Sequence, residues 1–376
     1  MSEGVKTIIQ FDISNLFEGN EAIFMDKKII FLGENGHGVN EFQYLKNQII
    51  EYLYTSFGFN NLVFESGIAE ISIANQNKEI LNPKELLFNS LYDIWHTEGL
   101  LELFTLIKKE NISIHGIDVQ YPNNYFSDTI TSLLKSYDKS LSIEFDEAER
   151  LLDRLTLNFK KRKRMKKSKK YLDGVYTRVI ALIRTKFETL TNDFTEYTLS
   201  LILCGLRNRL KLIEMQLMSF GMYSYYRDKY MYENLRYLLN QAPKSDKFIV
   251  LAHNYHIRKN NSVSKGWLNE KTLGEFYAEG HQDSYHIGFY MNNGFINENN
   301  GKSRKVKKHG KNSLEKALFS NNDDLLFKDL RFLEGDNIYK SHLIEREAGV
   351  DKRKLIPSQQ YDGLIGVNKV TPSIYI

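Results

Sequence analysis

Cysteine is almost missing from this chain. Its 376 residues include one, Cys204, so no disulfide can close within it, which fits a reducing compartment. Proline is scarce too, at five residues, and the 23 glycines follow no period, so collagen-like and low-complexity architectures are excluded. No apolar run approaches the ~18 residues that a membrane span requires. The opening residues, MSEGVKTIIQFDIS, hold no basic stretch followed by an apolar one, so no cleaved leader is expected and the expected location is cytoplasmic. Neither sign of charge dominates, with 51 Lys plus Arg against 47 Asp plus Glu.

The chain is rich in core-forming residues. Hydrophobic side chains make up 42% of it, with 23 Phe and 23 Tyr among them, which is enough for a core that needs no covalent staples. The net charge of +4 is local in origin. Nine cations fall in KKRKRMKKSKK at 160–170, and without them the balance becomes −5. A single tract is not a distributed nucleic-acid surface, so neither nucleic acid nor membrane is an expected partner. The tract reads as a solvated helix end or loop, with a polyanion landing site as the sharper alternative.

Six short apolar runs read as strands buried on both faces: Lys28–Gly33, Leu62–Glu65, Ile112–Asp118, Phe248–Ala252, Tyr285–Met291 and Gly363–Val367. Between the first two, Phe42, Leu45, Ile49, Ile50 and Leu53 recur at helical spacing, and Gly58 stands at the stop position. Strand, helix and strand over about 35 residues form a βαβ unit, so the predicted fold is α/β with a mainly parallel central sheet flanked by helices. From 121 to 245 strand-like runs vanish and amphipathic stretches take over, at Leu141–Leu157, Val175–Thr191 and Tyr197–Met218. The predicted organisation is a catalytic α/β domain of residues 1–120 and 246–376, with 121–245 as a helical insertion. Residues 297–312 are polar, without periodicity, and read as a loop.

Polar residues cluster where strands end. Glu34 and His37 follow the first strand in GENGHG, Glu65 ends the second, Asp118 ends the third, and His253 and His256 follow the fourth in AHNYHIR. Ligands of open α/β sheets bind beyond the carboxyl ends of parallel strands, so these groups are expected to converge on one rim. Singly, each has an ordinary structural reading, as a solvated strand end or a hydrogen-bonded imidazole. The glycines of GENGHG match neither the Walker pattern nor the dinucleotide fingerprint, and Glu34 stands where a phosphate would sit. There is no GxSxG elbow, and Cys204 lies in the apolar run LSLILCGL, as a filler rather than a nucleophile. The residues leave three readings open: a metal-free imidazole site, a metal site using Glu34, His37, Glu65, His253 and His256, or a rim that binds a small molecule without turnover. Arg227, Met231 and Asn234 share one face of a predicted helix, either as a solvated start or with Arg227 reaching a substrate oxygen.

Seven segments in order resemble the erythromycin esterase family: LGENGHGVNEF at 32–42, GFNNLVFES at 58–66, WHTEGLLEL at 95–103, HGIDVQ at 115–120, YRDKYMYENLRYLL at 226–239, VLAHNYHI at 250–257 and YDGLIGVNKVTPS at 361–373. Asn35 and Gly36 stand where that family more usually has small or hydroxyl residues; Asn35 adds a polar group to the expected cleft and Gly36 adds flexibility. The resemblance implies an α/β domain whose helical portion covers a cleft, and hydrolysis of an ester, for some members the lactone of a macrolide antibiotic. It implies His37 as general base on water, Glu34 and Glu65 as the acidic residues around it, and His253 and His256 as a second imidazole pair. Substrate contacts are expected from Arg227, Asn254, Met231 and Asn234. The expected partner is a small-molecule ester; no metal and no cofactor are expected.

Overall fold

A computed structural model of the chain describes residues 10–156, 161–265, 269–298 and 300–376. Lys160 of the basic tract, Leu157 at the end of one expected helical stretch, and Asn299 lie outside the described residues. The fold is mixed α/β, with a mainly parallel central sheet flanked by helices. Two compact units divide the chain: residues 1–62, 94–106 and 244–376, and residues 63–93 and 107–243. The second unit therefore takes in 63–93 and 107–120 as well as the helical stretch that the sequence pattern marks out.

All six predicted strands form. They are β1 (Ile29–Leu32), β2 (Phe59–Gly67), β3 (Ser113–Asp118), β4 (Lys247–Leu251) and β5 (Ser284–Asn297), and, late in the chain, Gly363–Val370. Short charged strands intervene before that last one: β6 (Ser303–Lys305), β7 (Leu325–Asp329), β8 (Leu343–Glu347) and β9 (Asp351–Leu355), which makes Gly363–Val370 β10. In the first unit β1 pairs in parallel with β4 on one side and β5 on the other, in register from Ile29 opposite Phe248 and Ser284. Strand β10 continues the parallel set on β5, and β7 closes it antiparallel on β10. Every side chain of β1 is buried, which is why IIFL reads as an unbroken apolar run. The predicted crossover helix is Asn40–Phe57, and Gly58 ends it at φ 73°, its N–H bonded to the carbonyls of Leu53 and Tyr54.

Strands β6, β8 and β9 escape the apolar pattern. LIERE and DKRKL pair as an antiparallel hairpin, Leu343 opposite Leu355 and Glu347 opposite Asp351; Glu345, Glu347 and Arg353 are drawn inward into ion pairs, while Asp351, Lys352 and Lys354 are exposed. The 297–312 segment, read as loop, carries β6, which pairs with the end of β5.

In the second unit four long helices, Lys139–Leu155, Arg162–Thr185, Glu196–Met215 and Phe220–Gln241, follow the amphipathic stretches. Phe126, Phe145, Leu152, Leu172, Tyr176, Leu199 and Ile202 share one buried core there. Among the described residues, no helix is long and apolar enough to cross a membrane.

The basic tract forms the start of the Arg162–Thr185 helix. Lys161 at the cap position makes no capping hydrogen bond and the first turn holds no acid, so the cations face the positive end of the helix dipole. Arg162 and Lys166, Lys163 and Lys167, and Lys166 and Lys170 stand as like charges four residues apart. Among the described residues of the tract, Met165 alone turns into the core. Replacing Lys163, Lys166, Lys167 and Lys170 by Gln should therefore raise the low-salt melting temperature slightly. The gain should shrink in high salt, where the repulsion is screened. A melting temperature at low salt that stays level or falls would show that the repulsion does not burden the helix.

Candidate active site

In the first unit the site starts from a buried carboxylate. Glu34, two residues beyond β1, is 4% exposed. Its Oε1 lies 2.6 Å from His37 Nδ1, and Trp95 Nε1 donates to the same oxygen at 3.3 Å. Its Oε2 accepts from Lys46, which the Asn40–Phe57 helix carries one and a half turns in and buries. Burial by itself raises this carboxyl, but Lys46 and then His37 outweigh it and bring it down to about 2. Glu34 is thus ionised at any working pH. An ionised carboxylate at 2.6 Å can only accept, so Nδ1 of His37 carries a proton. Neutral His37 then presents its lone pair at Nε2.

Gly36 gives the loop its shape. Its φ of 149° is one that side chains rarely adopt, so the position selects glycine for conformation rather than for mobility. Asn35 does not enter a cleft. It is 1% exposed, donates to the Arg346 carbonyl at 2.9 Å and accepts from Ala348 N at 3.0 Å, which fastens the loop to the turn of the β8–β9 hairpin.

A second imidazole faces the first. His253 follows β4 and caps the Asn254–Ile257 turn, and its ring centroid is 5.2 Å from that of His37. The rings of Trp95 and His37 stand at right angles, their centroids 5.1 Å apart. His253 Nδ1 lies 3.2 Å from Glu347 Oε1, at the end of β8, and 3.2 Å from the N–H of Tyr255. Behind Glu347 stand two arginines: Arg258 donates to its Oε2 at 2.8 Å and Arg353 lies 3.3 Å from the same atom. Arg258 is fully buried and also holds Glu345, Tyr361 and Asn261. Burial raises Glu347, yet Arg258, His253 and Arg353 together pull it well below the usual carboxylate range. Burial and the adjacent Glu347 charge push Glu345 up to about 8.

In the second unit the strand-end acids find an arginine. Arg227 sends Nε to both oxygens of Asp118, at 3.1 and 3.2 Å, and Nη2 to Glu65 at 2.9 Å. The expectation that Arg227 holds a substrate oxygen meets a guanidinium already gripping two carboxylates. Three other expected substrate contacts have structural occupations. Asn234 donates to the Ile117 carbonyl at 2.8 Å, and Met231 is fully buried. In the first unit, Asn254 is fully buried and bonds the Phe289 backbone through both ends of its amide, at 2.9 and 3.1 Å. His256 lies within the Asn254–Ile257 turn, 6% exposed, with Tyr255 edge-on at 5.0 Å. Cys204 is half-buried in the Glu196–Met215 helix, and burial raises its thiol, which suits a filler. Among the described residues no group of three or more His, Cys, Asp or Glu is placed to hold a metal ion.

Lys46, Trp95, Glu345, Glu347, Arg258 and Arg353 were not foreseen from the sequence. Lys46 had a usable signal, a lysine within the apolar spacing of an amphipathic helix. The hairpin residues had none, because alternating charges in LIERE and DKRKL read as a solvated segment.

The comparisons with known proteins agree with this architecture. The family model for erythromycin esterase matches residues 55–370. YbfO of Bacillus subtilis (strain 168), named as an inferred hydrolase, is 26% identical over 94% of this chain and 86% of its own. Erythromycin esterase type II of Escherichia coli is 24% identical over 72% of this chain and 70% of its own. Among solved structures, a mutant of the erythromycin esterase EreC in its open conformation superposes with a TM-score of 0.67, at 17% identity, over 97% of this chain and 96% of that one.

The Glu34 geometry carries a pH signature. A carboxyl held at about 2 in the fold, against 4.5 when free, contributes stability above about pH 4.5 and loses it as pH falls toward 2. Glu34→Gln should cost on the order of 3 kcal/mol near neutrality. In urea unfolding at a series of pH values, the gap between wild type and variant should close progressively below about pH 4.5. A gap that stays constant down to pH 2.5 would show that the ionised form is not what stabilises the fold.

Proposed function

We propose, on the premise that this chain belongs to the erythromycin esterase family and is a hydrolase of that family, that it cleaves a carboxylic ester with His37 as general base on water. The observation that carries the reading is the Glu34–His37 contact at 2.6 Å, with Lys46 on the other oxygen of Glu34. It leaves Nε2 of His37 as the basic nitrogen. The base takes a proton from water as the water oxygen bonds to the ester carbon. Glu34 stabilises the imidazolium that forms, a kind of assistance worth ~10²–10⁴ in rate. An imidazole N–H from His253 donates to the oxyanion, and such a donor contributes ~10²–10³. On collapse the C–O bond breaks and the departing alkoxide takes a proton from an imidazolium, so acid and alcohol form with the net uptake of one water. The substrate class we propose is a macrolactone, which gains that water without splitting in two. The indole edge of Trp95 against His37 offers such an apolar ring one wall.

The decisive experiment incubates the purified protein with a panel of macrolides and follows mass. A product heavier by one water, with a free carboxylate, supports the reading; an unchanged panel together with unchanged simple esters defeats it. His37→Ala should lose ~10²–10⁴ of the rate while remaining folded, because the ring lies on the loop after β1 and packs against site residues rather than in the hydrophobic core. Full activity after exhaustive chelation separates this reading from a metal-dependent hydrolase built on the same residues, for which one specific metal would restore lost turnover.

A further inference from the structure

Away from the two imidazoles, the carboxyl ends of β5 and β10 border a recess of about 750 Å³, all of it within the first unit. Strand β5 runs parallel to β1 and β10 parallel to β5, so the recess lies on the rim where open α/β sheets bind ligands. Asn297, which ends β5, donates to the Gly38 carbonyl of the His37 loop at 2.9 Å. Four lysines line the recess from separate places in the chain. Lys305 ends β6, Lys308 follows it, Lys316 lies in the Leu314–Leu318 helix and Lys369 in β10. The sheet register helps to gather them. Lys369 stands opposite Asn293, and Lys305 opposite Phe295. Asn293 and Phe295 are two residues apart on one strand, so both pairs present the same face, and all four residues are exposed.

The ordinary reading of an exposed lysine is solvation. Here the charge is one-sided. No acid lines the recess, and among the described residues none of the four ammonium groups has an ion pair or a hydrogen bond. Two carboxylates contact lining residues, and both are buried and engaged. Glu41 accepts from the N–H and the hydroxyl of Thr371, each at 2.7 Å. Glu315 accepts from Arg346 N at 2.7 Å, with its other oxygen 3.2 Å from His309 Nδ1. Outside the 160–170 tract the chain carries a net −5, so four unpaired cations around one hollow run against its composition. An anion relieves the repulsion among them, and a lysine serves an oxyanion as a point charge. The lining is also apolar. Val306, Phe319 and Val370 are buried in it, and Phe295 is 49% exposed beside Lys305. A half-exposed ring next to cations offers contact to an apolar group that a bare inorganic ion lacks.

We propose that this recess binds a small organic phosphate, with the doubly charged head among Lys305, Lys308, Lys316 and Lys369 and the apolar body over Phe295. A dianion matches four cations better than a carboxylate does, because each charge on the head is attracted by every lysine. The assignment is independent of the ester reading, since neither His37 nor His253 takes part and no bond is made or broken.

Phenyl phosphate, titrated into the full chain by calorimetry at low salt, tests the assignment. Benzoate has the same ring with one charge, and inorganic phosphate has the head without a ring; both should bind more weakly. Changing Lys305, Lys308, Lys316 or Lys369 singly to Gln should weaken phenyl phosphate ~2–5-fold, and all four together more than about tenfold. Phe295→Ala should bring phenyl phosphate down to the level of inorganic phosphate, and added salt should weaken wild-type binding. A charge-matched control replaces Lys163, Lys166, Lys167 and Lys170 by Gln and should leave the affinity within about twofold. All eight lysines are exposed, so the variants should fold, which a melting curve checks. Three results overturn the proposal: no binding of phenyl phosphate, a quadruple recess variant that binds like wild type, or a control that weakens binding as much as the recess variant does. Benzoate or inorganic phosphate binding as tightly as phenyl phosphate overturns the ligand class.

Discussion

A carboxylate out of water must be paid for by a cation out of water, and Glu34 with Lys46 is that bargain in its simplest form. Strand β1 is buried along its whole length, so the residue just beyond it starts life in an apolar setting. Without Lys46, burial would push the carboxyl upward with His37 alone against it, and a Glu34 that took up a proton would no longer fix which nitrogen of His37 carries hydrogen. The helix that supplies Lys46 is therefore part of the site although none of its residues needs to meet a substrate. Its register matters because a shift of one residue turns Lys46 about 100° away from Glu34.

The same arrangement recurs with arginine. Arg258 holds Glu345 and Glu347, Arg209 holds Glu70 and Glu149, and Arg227 holds Asp118 and Glu65, each within its own unit. A guanidinium suits two carboxylates because its planar fork offers donors in several directions at once. Loss of the cation from any of these sets takes away a donor that two buried carboxyl groups share, which makes the clusters sensitive to truncation and insensitive to salt. The β8–β9 hairpin shows what this does to a fold. Its strands have almost no apolar run, and they are fastened by the charges that make them look solvated.

That hairpin also marks where sequence reasoning stops. Runs such as IIFL, SIHGID and KFIVL announce buried strands because burial on both faces leaves no room for alternation. Gly58 announces a helix end because only a left-handed residue can close the last carbonyls there. Glu34, His37 and His253 are legible because strand ends are where polar groups are unexpected yet useful. Glu347, Arg258 and Arg353 are not, since a buried ion pair and a solvated one are written in the same letters. Asn254, Asn234 and Met231 show the converse: polar or soft residues beside a site can be occupied entirely by backbone and core. Asn35 was read as facing a cleft for the same reason, and its amide proves to be a fastening between two loops.

The exposures of the site residues add the final constraint. In the first unit the two imidazoles keep 18% and 15% of their side-chain surface, while Glu34 keeps 6%. The rings are thus the parts of this cluster that stay within reach of solvent, and the charges that tune them sit behind. Lys46 already holds Glu34, and Arg258 and Arg353 already hold Glu345 and Glu347, so each of these cations has a carboxylate partner. An anionic group entering here would have to compete with buried carboxylates for those cations and would lose its own hydration in doing so. A neutral carbonyl asks for less: a proton acceptor for its water and a proton donor for its oxygen. On the proposed reading, two imidazoles five ångströms apart, one held by Glu34 and the other facing Glu347, would meet that need without a free charge.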